Sequence, residues 1–149
     1  MSKNRRILTQ SPQETMDFAR EFAQELRPGS VVALIGDLGS GKTTFMKGLA
    51  RGLGLEDENA VKSPTYVIMH IYPTPIPLYH FDLYRLESVG ELDAIGFEEF
   101  IHDPKAIVCI EWADRAAKWI PKTAYNVRLT SISEKKREIE VKSPAKGLK

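Results

Sequence analysis

An α/β fold is predicted for this chain, with helices on both faces of a mixed, mostly parallel sheet in a three-layer sandwich. Strand-like and helix-like segments alternate along the sequence, which is the pattern of layered α/β domains. Val31–Ile35 and Ala106–Ile110 are continuous apolar runs rich in β-branched residues, as expected of parallel strands that are buried on both faces. The ligand of such a sheet is expected at the carboxyl ends of its strands.

Composition and charge narrow the class of protein. The 149 residues fit one domain, 1–149, and neither a repeat nor a linker divides them. Apolar residues make up 42% and charged residues 28%, as in ordinary soluble globular proteins. The formal net charge of +1 gives no support for direct nucleic-acid binding. No apolar run approaches the roughly 20 residues of a membrane span, so we expect a cytoplasmic protein without a membrane segment.

The N-terminal helix has clear boundary signals. Ser11 can cap it, Pro12 suits its first position and Glu14 can complete a capping box. Apolar residues then recur at helical spacing, at Ala19, Phe22, Ala23 and Leu26. Pro28-Gly29 ends the helix just before the first buried strand.

The remaining elements are assigned from the same kinds of pattern. Helices are expected at Thr43–Leu53, within Ser88–Ile101 where Gly90 and Gly96 interrupt them, and at Asp114–Ile120. Strands are expected at Tyr66–Tyr72, Leu78–Phe81, Asn126–Ile132 and Arg137–Val141, and the last two form a hairpin. Residues 142–149 are polar and basic and are expected to form a flexible tail.

The turn after the first buried strand carries the strongest motif. Gly36–Thr43 fits G-x-x-x-x-G-K followed by Ser or Thr, and its position between a strand and a helix argues against a chance glycine-rich turn. In this pattern, backbone N–H groups surround a phosphate, Lys42 reaches the β and γ phosphates, and the Thr43 hydroxyl ligates Mg²⁺. The sequence therefore predicts a P-loop NTPase-like domain. Its predicted nucleotide-binding residues are Asp37, Leu38, Gly39, Ser40, Gly41, Lys42, Thr43 and Thr44.

Two acids follow predicted strands and are candidates for the chemistry. A P-loop Mg²⁺ usually needs a carboxylate from a neighbouring strand, and Asp82 and Glu111 both stand at such positions. Either acid alone could instead be a helix cap or an ion-pair partner. Sequence alone leaves their roles open, but the more uniformly apolar strand before Glu111 favours Glu111 as the metal ligand, with Asp82 as a catalytic or supporting acid.

Four other residues are weighed individually. Thr65, in the loop after Ser63-Pro64, is either a switch residue over the γ-phosphate or an ordinary turn threonine. Trp112 is either a pocket wall, a partner contact or a core residue. His80 is interpreted as structural, and Cys109 as an inert core cysteine.

Four blocks of sequence resemble the bacterial TsaE (YjeE) family and occur in that family's order. The blocks are Gly36–Thr44, Lys62–Tyr66, His80–Arg85 and Ile110–Trp112, and the N-terminal helix also matches. A P-loop alone is common, whereas Ser-Pro-Thr-Tyr, His-Phe-Asp-Leu-Tyr-Arg and Glu-Trp together are specific. Ser40 departs from the alanine that is more usual there, at a free position of the loop pattern.

The resemblance implies an ATPase that is needed to make threonylcarbamoyladenosine beside the anticodon of tRNA. It would act with TsaD and TsaB, which carry out the transfer itself, and its cofactors would be ATP and Mg²⁺. The resemblance also implies roles for individual residues: Lys42 and Thr43 for phosphate and Mg²⁺, Glu111 as the metal-side acid, Asp82 as the other essential acid, Trp112 as the neighbouring tryptophan, Thr65 as the switch threonine, and Thr15 near the base.

Slow hydrolysis by the isolated chain is expected, because no convincing arginine finger is found and that group is worth ~10³–10⁵ in rate. Three alternatives are considered. A GTPase would need an N-K-x-D guanine motif, which is missing. A small-molecule kinase would need an acceptor pocket and an arginine-rich lid. An ATP-dependent assembly switch with negligible hydrolysis would not need two acids at strand ends.

Overall fold

Seven strands form one sheet in the computed structural model, which describes residues 4–37, 39–57, 61, 68–88 and 90–144. The strands are β1 Asn4–Thr9, β2 Val31–Ile35, β3 Met69–Tyr72, β4 Leu78–Asp82, β5 Ile107–Glu111, β6 Tyr125–Ser131 and β7 Arg137–Lys142. The α-helices are α1 Pro12–Ala23, α2 Lys42–Gly52, α3 Gly90–Ile95 and α4 Phe97–Ile101, and a 3₁₀ helix spans Ala113–Trp119.

The sheet is mixed, with its parallel pairings at the centre. Its strand order is β1-β7-β6-β2-β5-β4-β3. β6, β2, β5 and β4 are parallel neighbours, whereas β1, β7 and β3 are joined by antiparallel pairings at the two flanks. Parallel and antiparallel pairings are therefore equal in number, so the sheet is less parallel than predicted. The two continuous apolar runs of the sequence form the adjacent strands β2 and β5.

Helices cover both faces of the sheet because the central strands are apolar on both sides. Val32 and Leu34 face the cluster that contains the buried side chains of α1 and α2. Val31 and Ala33 face a second cluster, which contains residues of α3, α4 and the 3₁₀ helix. The predicted three-layer arrangement of helix, sheet and helix is confirmed. None of the helices in the described part of the chain has the length and apolar character needed to cross a bilayer.

The start of α1 follows the predicted capping pattern with one difference. The Ser11 hydroxyl accepts a hydrogen bond from the Glu14 amide, and Pro12 is the first helical residue. The Glu14 carboxylate accepts a bond from the amide of Gln10, one residue before the cap. α1 packs along α2, so it supports the helix that follows the glycine-rich loop.

Several boundaries differ from the sequence prediction. β1 was not predicted, and it forms because its backbone pairs with β7 at the edge of the sheet. Gly90 was expected to interrupt a helix, but it is the first residue of α3. The helix predicted at 114–120 is a 3₁₀ helix. The predicted tail also starts too early, since Lys142 belongs to β7 and pairs with Asn4 and Asn126.

Candidate functional site

Three strand ends meet at one edge of the sheet, as the sequence predicts. β2 ends at Ile35 and leads directly into Gly36, while β4 ends at Asp82 and β5 at Glu111. In the sheet register, Glu111 lies beside Leu34 on one neighbour and beside Asp82 on the other. The two acids are therefore side by side at the point where the chain enters the glycine-rich loop.

The described part of the loop turns through two left-handed glycines before α2 begins. Gly39 has φ of 77° and Gly41 has φ of 100°, a region that side-chain-bearing residues rarely occupy. The Ser40 amide donates to the carbonyl of Asp37 at 3.0 Å and closes the turn. Gly41 is the N-cap of α2, so the positive end of this helix faces the loop.

Lys42 is the first residue of α2, and its ammonium group lies inside the site. Its Nζ donates to the carbonyl oxygens of Gly36 at 2.5 Å and Asp37 at 2.9 Å. The same atom lies 4.1 Å from the centroid of the Trp112 ring. Burial lowers the pKa of Lys42, and the negative charge of Glu111 opposes this shift. The ammonium group is thus close to the loop, to the aromatic ring and to the acids.

Asp82 and Glu111 are both nearly inaccessible to solvent, with exposed fractions of 6% and 2%. Burial raises the pKa of Asp82 and the charge of Glu111 adds to this effect, while a hydrogen bond from the Tyr84 amide to Oδ1 at 3.0 Å opposes it. Two adjacent buried carboxylates are electrostatically unfavourable without a cation. Lys42 supplies one such positive charge.

His80 is a site residue that the sequence analysis interpreted as structural only. Its Nε2 lies 2.6 Å from Oε2 of Glu111, and both side chains are buried. The Tyr72 hydroxyl lies 3.4 Å from the other ring nitrogen, Nδ1. His80 and Asp82 are two residues apart on β4 and share one face of the sheet. That spacing is the signal in the sequence that could have indicated a contact between His80 and the site.

Trp112 joins the site to a cluster of aromatic and basic side chains. Its backbone has φ of 59°, which is the one left-handed conformation outside glycine among the described residues. The ring lies 5.0 Å from that of Tyr84, and the guanidinium carbon of Arg115 lies 5.6 Å from the Trp112 centroid. The ring packs against the core cluster of the α3 face while it also contacts Lys42. It therefore serves as both core residue and wall of the site.

A cavity of about 330 Å³ is lined by most of the predicted site residues. Its lining contains seven of them, namely Gly39, Gly41, Lys42, Thr43, Thr44, Glu111 and Trp112. A neighbouring cavity of about 250 Å³ is lined by Asp37, Ser40 and Trp112, among others. Leu38 and Thr65 lie outside the described residues.

Thr15 has a different environment from the loop residues. Its side chain is 1% exposed, and its Oγ1 lies 2.7 Å from Oγ1 of Thr9. Thr15 is not part of the lining of either cavity beside the loop. The hydrogen bond instead connects α1 to the end of β1.

The donor set of the cavity suits Mg²⁺. The Thr43 hydroxyl and the Glu111 carboxylate line the same cavity, and both are oxygen donors. Mg²⁺ prefers oxygen ligands and is commonly held by one or two protein groups together with substrate phosphates and water. Because Oε2 of Glu111 contacts His80, the other carboxylate oxygen can serve as a ligand.

Arg137, the first residue of β7, is the remaining residue of the cavity lining, and no sequence motif indicated it as a site residue. Its Nη2 donates to the carbonyl of Gly39 at 3.1 Å. The two residues are 98 positions apart, so no local pattern relates them.

Comparison with known proteins finds a matching family and similar curated proteins. A family model described as "Threonylcarbamoyl adenosine biosynthesis protein TsaE" matches residues 9–139. The tRNA threonylcarbamoyladenosine biosynthesis protein TsaE of Treponema pallidum is 38% identical over 136 residues, which cover 91% of this chain and 98% of that protein. The protein of the same name from Bacillus subtilis is 38% identical over 132 residues, which cover 88% of this chain and 80% of that protein.

Solved structures show the same likeness. The crystal structure of Bacillus subtilis YdiB has a TM-score of 0.77 and 31% sequence identity, covering 97% of this chain and 88% of that one. The match of the family model to most of the chain, and the 38% identity to the Treponema pallidum protein over 98% of its length, show that this chain belongs to the TsaE family of tRNA threonylcarbamoyladenosine biosynthesis.

Proposed function

We propose that the protein is a P-loop ATPase that binds ATP and Mg²⁺ in the 330 Å³ cavity and hydrolyses ATP slowly on its own. It would act with TsaD and TsaB in the threonylcarbamoyladenosine modification of tRNA next to the anticodon. The observation that carries this proposal is the convergence of Lys42, Thr43 and Glu111 on one cavity at the carboxyl edge of the sheet.

The chain's own groups suit phosphate binding. The two left-handed glycines and the N-terminus of α2 would present backbone amides to a bound anion. Lys42 would exchange the carbonyl oxygens of Gly36 and Asp37 for phosphate oxygens, which carry more negative charge. Thr44, in the first turn of α2, would contact the α-phosphate.

Thr43 and Glu111 would hold the metal ion, which would neutralise charge on the phosphate oxygens. His80 would orient the Glu111 carboxylate for this role through their 2.6 Å contact. Asp82, whose pKa is raised by burial, is then the better candidate to orient the attacking water. Thr65 would close over the γ-phosphate, Thr15 would lie near the base, and Trp112 would wall the site.

Turnover measurements test the proposal. ATP hydrolysis by the purified chain should be slow and should rise when a TsaB–TsaD complex is added. Lys42→Ala should abolish nucleotide binding or hydrolysis, whereas Lys47→Ala, which removes the same charge further along α2, should not. Rapid hydrolysis by the isolated chain would contradict the need for partners, and full activity of Lys42→Ala would exclude the loop from the mechanism.

A further inference from the structure

Arg137 extends from the start of β7 into the cavity that also contains Lys42 and Thr43. Its Nη2 donates to the Gly39 carbonyl at 3.1 Å. Its Nε lies 3.5 Å from the position that a Cβ would take at Gly41. The guanidinium group therefore lies against both glycines of the phosphate loop.

The other hydrogen bonds of Arg137 are made to the turn between β6 and β7. Its Nη1 donates to the carbonyl oxygens of Ser133 at 2.7 Å, Glu134 at 3.1 Å and Lys136 at 3.0 Å. These acceptors are neutral. Among the described residues, no carboxylate forms an ion pair with Arg137. Its charge is therefore solvated by carbonyl dipoles but not neutralised.

The other positive groups of the cavity favour the binding of an anion beside Arg137. Arg137 adds its charge to the Lys42 ammonium and to the positive N-terminus of α2, all at one cavity. Arginine binds phosphate more strongly than it binds neutral carbonyls, because charge-assisted bonds are roughly twice as strong and its planar fork matches two phosphate oxygens. A bound polyphosphate would neutralise a cation that the described chain leaves unpaired.

We propose that Arg137 is a phosphate-binding residue whose guanidinium group contacts the polyphosphate of the nucleotide held by the loop. This inference rests on the proposed function and adds a second cation, supplied by the C-terminal hairpin, to Lys42. The hairpin thereby becomes part of the nucleotide site, although its sequence carries no nucleotide-binding motif.

The test is a set of ATP·Mg²⁺ titrations with matched variants of the full chain. Arg137→Gln removes the charge, Arg137→Lys keeps it, and Lys135→Gln removes one charge from an exposed position in the same hairpin turn. The loss of one charge-assisted contact predicts a Kd about 10- to 100-fold higher for Arg137→Gln. Arg137→Lys should lose clearly less, and Lys135→Gln should match wild type. Raising the salt concentration should narrow the gap between Arg137→Gln and wild type.

Each result is decisive. If Arg137→Gln binds ATP as tightly as Lys135→Gln, Arg137 does not contact the phosphates. If Arg137→Lys loses as much affinity as Arg137→Gln, both keep the thermal stability of wild type, and salt does not narrow the gap to wild type, the charge of Arg137 does not contribute to binding and the inference is overturned. An unfolded Arg137→Gln leaves Arg137→Lys to decide, since near wild-type binding by that variant supports a role for the charge. A wild-type chain that binds no nucleotide would overturn the proposed function as well.

Discussion

His80 Nε2 and Glu111 Oε2 lie 2.6 Å apart across the adjacent strands β4 and β5, and both side chains are buried. A histidine that donates one ring N–H to a carboxylate fixes the orientation of that carboxylate. Since Glu111 is the proposed metal ligand, the contact links a core residue of β4 to the chemistry of the site.

Replacing His80 should therefore affect metal binding as well as stability. His80→Ala leaves the buried Glu111 without this partner, which should lower the free energy of unfolding by about 1–3 kcal/mol. The Mg²⁺ concentration needed for half-maximal ATP binding should rise about 10- to 100-fold. His80→Gln keeps an N–H donor and should recover part of both losses.

The control for His80 is His102→Ala, which removes an exposed imidazole and should change neither quantity. A His80→Ala protein that is less stable but has an unchanged Mg²⁺ dependence would show that His80 only fills the core.

Trp112 should report nucleotide binding through its fluorescence. Lys42 Nζ lies 4.1 Å from the centroid of its ring, and recruitment of Lys42 by phosphates would remove this cation from the indole. The chain has two tryptophans, so Trp119→Phe leaves Trp112 as the only one. We expect the emission of Trp119→Phe to change on titration with ATP·Mg²⁺.

Trp112→Phe is the matched control, because Trp119 packs against Phe97 and lines neither cavity beside the loop, so its emission should not respond. Unchanged Trp112 emission at saturating nucleotide would mean that Lys42 keeps its present position.

The hydrogen bond between Tyr79 and Asp103 should make stability depend on pH. The Tyr79 hydroxyl donates to Oδ2 of Asp103 at 2.7 Å and lowers the pKa of that carboxyl below its ordinary value. A lowered carboxyl pKa stabilises the fold above the pKa of the unfolded chain, and this contribution is lost as the pH falls through the folded-state pKa. Tyr79→Phe should therefore be slightly less stable than wild type at pH 7 and equally stable in strong acid.

Thermal unfolding across this pH range measures the effect. Tyr125→Phe is the comparison, because Tyr125 makes an edge-on ring contact with Phe22. This variant also removes a tyrosine hydroxyl, but it keeps the bond between Tyr79 and Asp103. A stability difference for Tyr79→Phe that stays constant down to strong acid would contradict the explanation.

Gly48 should tolerate no side chain, because α1 and α2 approach each other closely there. A Cβ at Gly48 would lie 2.8 Å from the Cα of Met16 and still closer to the Met16 carbonyl oxygen, and backbone atoms cannot rotate away. We expect Gly48→Ala to lower the free energy of unfolding by about 1–3 kcal/mol, the usual range for overpacking. Nucleotide affinity should also fall, since α2 presents the loop.

Gly90→Ala provides the comparison for Gly48. A Cβ at Gly90 would meet its nearest neighbour, Ser88 Oγ, at 3.6 Å, which is an ordinary contact. Urea unfolding of both variants measures their free energies of unfolding. Equal values would show that α1 and α2 can move apart at Gly48 without loss of stability.

Local sequence patterns were sufficient wherever a segment's own chemistry specifies its structure. The buried strands β2 and β5, the cap of α1 and the hairpin of β6 and β7 were predicted from hydrophobic runs and turn residues. The predicted position of Asp82 and Glu111 at strand ends is confirmed, and so is their proximity at one edge of the sheet. Boundaries were less accurate where pairing supplies the stability, as in β1, which exists only beside β7.

The amino-acid sequence alone predicted the glycine-rich loop, its lysine and threonine and the two acids, because each is encoded within a few consecutive residues. It did not predict the contact of His80 with Glu111 or that of Arg137 with Gly39. The two residues of each contact are 31 and 98 positions apart in the sequence, respectively. Strand order and register create these contacts, since they depend on which strands become neighbours and not on any local preference.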